Sequence, residues 1–88
     1  MVVKELEVMN ELGFHARVAC KIAKSIGEFA SSVNLVKNGK KYDLKSVTGV
    51  MMSAARHGEV VTIEIEGDDE ESTAEALEKL FADKFGER

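Results

Sequence analysis

Val60-Val61-Thr62-Ile63-Glu64-Ile65-Glu66 alternates residue by residue, with Val61, Ile63 and Ile65 on one side and Val60, Thr62, Glu64 and Glu66 on the other. A repeat of two is the signature of a strand. One apolar face and one largely polar face imply a sheet packed on one side and wet on the other, the usual condition of antiparallel sheets. A similar pattern opens the chain, where Val2, Lys4, Leu6 and Val8 alternate with Val3, Glu5 and Glu7. Between these segments, Val33, Leu35 and Val36 lead into Asn38-Gly39. That dipeptide accepts positive φ at both central positions of a two-residue hairpin, so Lys40 to Asp43 reads as the returning strand.

The remaining segments change period to that of a helix. From Ala16 to Ile26, the residues Val18, Ala19, Ile22, Ala23 and Ile26 share one face, and Gly27 supplies a stop. Ser46 is placed as the N-cap of a second helix, with Val47, Val50, Met51 and Ala54 on one face and an end at Gly58. Asp68 and Glu71 have the spacing of a capping box, ahead of a stripe made by Ala74, Leu77, Leu80, Phe81 and Phe85. Asp69, Glu70 and Glu71 make that first turn acidic. The order β-α-β-β-α-β-α predicts an α+β open-faced sandwich: a four-stranded antiparallel sheet with three helices on one face, a single domain over residues 1–88. Placing the last strand between the first and second keeps the split β-α-β crossover right-handed.

Composition narrows the function. A net charge of -4 argues against a general nucleic-acid surface. One cysteine, Cys20, allows no intrachain disulfide and suits a reducing cytoplasm. No charged-then-apolar leader is visible, and no apolar run approaches the roughly 20 residues that span a bilayer, so the expectation is a cytoplasmic protein without membrane insertion. Two histidines, His15 and His57, and one isolated cysteine form no metal-ligand set and no readable nucleophile–base pair. The acidic run from Asp68 to Glu71 lacks the longer series of oxygen ligands that calcium needs. No cofactor is expected.

Leu12-Gly13-Phe14-His15-Ala16-Arg17 puts a histidine at the start of the first helix, with an arginine two residues on. Unpaired N–H groups and about half a positive charge gather at such an end, where they disfavour imidazolium and welcome anions. A neutral imidazole nitrogen there can attack a phosphoryl donor, and the product rests beside an anion site. The N–H groups of Ala16 and Arg17 are the expected receivers of the phosphoryl oxygens. A guanidinium is disfavoured in a first helical turn, which hints that Arg17 has an anion to bind. The same dipole argument favours a protonated His57 in a capping role at the end of the second helix.

These residues carry a resemblance over essentially the whole chain. Gly13-Phe14-His15-Ala16-Arg17, Lys45-Ser46-Val47-Thr48-Gly49-Val50-Met51 and Val60-Val61-Thr62-Ile63 together resemble HPr, the histidine-containing phosphocarrier family of the bacterial phosphotransferase system. The resemblance implies that His15, through Nδ1, accepts a phosphoryl group from phospho-enzyme I and passes it to sugar-specific enzyme IIA components, with Arg17 assisting. It also implies a stoichiometric carrier, not a turnover enzyme, and a monomer that shows one face to successive partners. The Ser46 block resembles the version in which an HPr kinase/phosphorylase modifies the serine and a transcriptional regulator reads it.

Around these sites, Cys20, Lys24, Lys45, Val47, Thr48 and Met51 are expected to form the partner interface. Lys24 and Lys45 would flank His15 and steer acidic partners. Met51 and Met52 divide between core and an adaptable docking patch. One position departs from the family pattern: proline usually follows the arginine, and here stands Val18. Valine keeps the apolar contact and adds an N–H donor, at some loss of rigidity. That departure keeps a second reading open, a regulatory interaction module acting through Ser46 with little sugar-transport phosphotransfer.

Overall fold

The computed structural model describes residues 1–87. Four strands, β1 (Val2–Glu7), β2 (Ser32–Lys37), β3 (Lys40–Asp43) and β4 (Val60–Glu66), form one antiparallel sheet in the order β1-β4-β2-β3. The helices are α1 (Ala16–Ile26), α2 (Val47–Ser53) and α3 (Glu70–Ala82), and a short 3-10 turn, Lys84–Gly86, follows the last. The last strand lies between the first and second, as the crossover rule requires.

Register explains why alternation was so informative. Val2 faces Ile65, Lys4 faces Ile63 and Leu6 faces Val61, while Val33 and Leu35 pair with Ile65 and Ile63 from the other side. Val33, Leu35, Val61, Ile63 and Ile65 are buried under the helices, together with Val18, Ala19, Ile22 and Ile26 of α1 and Ala74, Leu77 and Phe81 of α3. Each fully buried aliphatic side chain stabilises the fold by about 1.5–3 kcal/mol relative to exposure. A one-residue slip of β4 would turn this row to water and put Glu64 and Thr62 inside. The hairpin forms as expected, with Asn38 at φ 52° and Gly39 at φ 78°.

Several expectations about helix ends are corrected. α2 stops at Ser53, well short of Gly58, because Ala54 turns left-handed (φ 50°) and its N–H caps Met51 O. Val50 and Ser53 are the buried residues of α2; Val47, Met51 and Ala54 are exposed. His57 therefore sits in an exposed turn beyond the helix and caps nothing. Gly27 is the C-cap of α1, but in right-handed conformation (φ -64°).

The start of α3 is shifted by one residue from the expected capping box. Glu70 Oε1 accepts from the Gly67 N–H at 3.2 Å, so this reciprocal contact spans Gly67 and Glu70 instead of Asp68 and Glu71. Asp69 turns away to bind the Ala30 and Ser31 N–H groups at 2.8 and 2.9 Å and the Ser31 hydroxyl. Phe85 lies past the end of α3, yet it is buried as its place in the stripe suggested.

Candidate functional site

His15 is the last residue before α1. Its backbone is extended (φ -84°, ψ 177°), and its imidazole makes no capping bond. Its carbonyl accepts the first helical bond, from Ala19 N–H at 2.9 Å. The N–H groups of Ala16 and Arg17 meet no acceptor among the described residues, as expected for the first donors of a helix. Two oriented donors and the positive end of α1 thus open beside the ring. Val18 is wholly buried, and its N–H is likewise one of the donors that α1 leaves over, so the family's proline would break no helical bond there.

A short loop fixes the ring's place. Asn10 O accepts from Gly13 N–H at 3.2 Å, Asn10 Nδ2 donates to Gly13 O at 2.7 Å, and the same carbonyl accepts His15 N–H at 2.9 Å. Gly13 has φ +65°, and a Cβ there would meet Ala55 O at 2.6 Å, so only glycine fits. Phe14 then anchors the loop: its N–H bonds Ala55 O at 3.0 Å, and its ring packs edge-on against Phe81 and Phe85 at 6.0 and 5.7 Å. A core residue beside a surface residue leaves His15 little freedom to wander.

The two ring nitrogens are not equivalent. Nε2 is buried and has no hydrogen-bond partner among the described residues. Nδ1 makes no hydrogen bond to the described residues.

Next to the ring lies an ion cluster. Arg17 Nε and Nη2 donate to Glu87 Oε2 and Oε1 at 2.9 and 2.6 Å, and Lys21 Nζ reaches Glu87 Oε2 at 2.6 Å. His15 Nε2 is 3.9 Å from Glu87 Oε1. The Arg17 hydrogen bonds, and after them those of Lys21, hold the Glu87 carboxyl at about 2, and the same pairing raises Arg17 above its ordinary value.

Glu87 arrives here through an unusual turn. Lys84, Phe85 and Gly86 are all left-handed, at φ 54°, 56° and 72°. The two non-glycine residues cost about 1–2 kcal/mol each. Burial of Phe85 against Phe81 (4.8 Å) and the Lys21 bond to Phe85 O (3.0 Å) offset that strain. The result is a cleft of about 450 Å³ lined by Asn10, Glu11, Leu12, His15, Arg17 and Glu87.

Among the expected site residues, His15, Ala16 and Arg17 come together. Ser46 is the N-cap of α2, its Oγ accepting from Gly49 N–H at 3.3 Å. Cys20 on α1 and Val47, Thr48 and Met51 on α2 are exposed, and α1 packs against α2, so these residues lie on adjoining elements. Lys24 is exposed but belongs to the last turn of α1, the opposite end from His15. Lys45 does not flank the ring at all. Its Nζ turns inward to Phe29 O and Ser31 O at 2.6 and 3.3 Å and ties down the connection between α1 and β2.

Three residues that the sequence reading passed over complete the site: Lys21, Glu87 and Asn10. Lys21 had a local signal, since it stands one helical turn after Arg17 on the same face. Glu87 had none, because its partners are 66 and 70 positions away. Among the described residues no group of three or more His, Cys, Asp or Glu side chains is arranged to hold a metal. No helix there is long and apolar enough to cross a membrane.

The chain is similar to known proteins over nearly its whole length. A family model described as "PTS HPr component phosphorylation site" matches residues 2–83. The phosphocarrier protein HPr of Cupriavidus necator is 42% identical over 99% of this chain and 98% of its own length. A crystal structure of an HPr from Thermoanaerobacter tengcongensis superposes with a TM-score of 0.93 at 38% identity, covering 100% of this chain and 99% of that one. The HPr-like protein Crh of Halalkalibacterium halodurans is 38% identical over 88% of this chain and 92% of its own.

Proposed function

Because the chain belongs to the HPr family, whose members are phosphocarriers and not catalysts of turnover, we propose that His15 is the phosphoryl acceptor and Nδ1 the attacking atom. The Nδ1 lone pair forms the new N–P bond as the bond from phosphorus to the donor, phospho-enzyme I, breaks and its electron pair leaves with the donor. Nε2 keeps its proton throughout. Transfer onward to an enzyme IIA reverses the same steps. The observation that carries this reading is the placing of the His15 ring at the cap of α1 with its Nε2 buried, beside two amide donors that meet no acceptor among the described residues.

Arg17 and Lys21 supply the charge. Their present anion is the Glu87 carboxylate, so the phosphoryl group competes with Glu87 for the guanidinium. Docking falls to the exposed apolar residues Leu12, Val47, Met51 and Met52. Cys20 and Thr48 would border that surface. A monomer in the cytoplasm suits a carrier that must present one face to each partner in turn.

Ser46 is the regulatory site in this account, modified by an HPr kinase/phosphorylase and read by a transcriptional regulator. Its place at a helix start supports the reading, since the dipole tolerates a phosphate there and the fold survives while the surface charge changes. The Crh relative favours keeping this second role.

Incubation with enzyme I and phosphoenolpyruvate tests the first role. An acid-labile, alkali-stable adduct that disappears in His15→Ala is expected; an unmodified wild type refutes it. For Ser46, a kinase and ATP should give an acid-stable phosphate that Ser46→Ala lacks, and no such product removes the regulatory role.

A further inference from the structure

Two buried side-chain polar atoms among the described residues have no hydrogen-bond partner, Asn10 Oδ1 and His15 Nε2, and both residues line the same cleft. Asn10 is completely buried. Its amide nitrogen is committed to Gly13 O at 2.7 Å, which fixes which way the amide points and leaves Oδ1 as a bare acceptor. A buried acceptor without a donor is destabilising, so its retention beside a histidine has a reason to be sought in the chemistry. Nε2 is the complementary atom. In the form with its lone pair on Nδ1, the neutral ring carries its proton on Nε2 and needs an acceptor there; Glu87 Oε1, at 3.9 Å and already held by Arg17, is beyond hydrogen-bond distance.

We propose that Asn10 is a positioning residue for the phosphoryl acceptor, with Oδ1 receiving the Nε2–H across one water, since the two atoms make no direct hydrogen bond. This rests on the reading of His15 as the phosphoryl-bearing residue. Phosphorylation at Nδ1 draws electron density from the ring and makes the Nε2–H a stronger donor. The Asn10 contact therefore strengthens in the phosphorylated state, where charge-assisted bonds exceed neutral ones. It favours the tautomer that can attack, and it then stabilises the product. Asn10 does this without meeting any partner, because no part of it reaches the surface.

Two variants of the full-length chain separate this role from mere loop bracing. Asn10→Leu keeps the volume and removes both amide functions. Asn10→Asp keeps an acceptor oxygen on this side chain but loses the bond from Nδ2 to Gly13 O. With enzyme I and phosphoenolpyruvate, Asn10→Leu should lower the equilibrium yield of phosphoprotein by about tenfold, the worth of one charge-assisted hydrogen bond. KM for phospho-enzyme I should stay unchanged. Asn10→Asp should hold its phosphoryl group at least as long as wild type, although a bracing role alone would impair it as much as leucine does.

The 15N signals of the unphosphorylated imidazole give an independent reading at alkaline pH. Wild type and Asn10→Asp should show Nε2 protonated, and Asn10→Leu a gain of the Nδ1-protonated form. Wild-type yield with an unchanged 15N pattern in a folded Asn10→Leu overturns the proposal. Should Asn10→Leu not fold, impairment of Asn10→Asp overturns it and persistence of its phosphoryl group supports it. Should wild type itself take up no phosphoryl group, the carrier reading fails, and the 15N pattern alone then decides the role of Asn10.

Discussion

Arg17 and Glu87, seventy positions apart in sequence, form a two-pronged ion pair at 2.9 and 2.6 Å that sits directly beside His15. A guanidinium at a helix start is out of place electrostatically unless an anion joins it, and here a carboxylate does. The group that binds phosphate is thus already occupied by a resident competitor.

Replacing Glu87 with glutamine should release Arg17 and Lys21 and speed phosphoryl acceptance by at most about fivefold, the worth of an exposed ion pair. Stopped-flow kinetics with phospho-enzyme I measures this. Slower acceptance would mean that Glu87 orients Arg17 instead of competing for it.

The same carboxyl makes an acid-stability prediction, and Asp69 makes a second. Hydrogen bonds from Ser31, first its hydroxyl, and from Ala30 N–H bring the Asp69 carboxyl down to about 2, as Arg17 and Lys21 do for Glu87. Both values lie below the unfolded ones, so the stabilisation is fully present above the ordinary carboxylate range. It is lost as pH falls from there through about 2. Thermal melts should show Asp69→Asn and Glu87→Gln less stable than wild type at pH 7, with each difference vanishing near pH 2. The residues flank opposite ends of α3, about 20 Å apart at 1.5 Å per residue, so the two effects should add.

Gly49 sets how close α2 lies to the end of β3. A Cβ at this position would fall inside the contact radius of Asp43 O. Gly49→Ala should therefore lower stability by about 1–3 kcal/mol, seen as a lower denaturant midpoint at constant slope. An unchanged midpoint would show that α2 shifts freely, and Ser46 with it.

Ser46→Ala removes the bond that caps α2 and should cost about 1 kcal/mol. Ser46→Asp restores a capping oxygen and adds charge, so its midpoint should lie near wild type while its rate with enzyme I falls. Equal rates for Ser46→Asp and wild type would argue against regulation by charge at this face.

Much of this architecture was legible because the deciding signals are local. The alternation of Val61, Ile63 and Ile65 needs only neighbouring residues, and so do the Asn38-Gly39 turn and the Ser46 cap. The bounds of α1, from Ala16 to Ile26, followed from one apolar stripe and the following glycine. What stayed hidden was set by contacts distant in sequence. No period reveals that Ala54 adopts a left-handed conformation, so the apolar spacing alone overextends α2 to Gly58, when it ends at Ser53 and leaves His57 beyond it. Lys45 looks like a free surface charge until the chain between α1 and β2 closes over it. Glu87 reaches Arg17 only because Phe85 pays for a strained turn by filling the aromatic cluster with Phe14 and Phe81.

The account depends on the phosphoryl group residing on His15 Nδ1 beneath the first amides of α1. Phosphorus–nitrogen correlation on 15N-labelled protein, phosphorylated by enzyme I and phosphoenolpyruvate, reads this directly. A phosphorus signal coupled to Nδ1 of His15, with the amide resonances of Ala16 and Arg17 displaced on phosphorylation, is the predicted result. Coupling to Nε2, phosphorus on any other side chain, or unmoved Ala16 and Arg17 amides would contradict it.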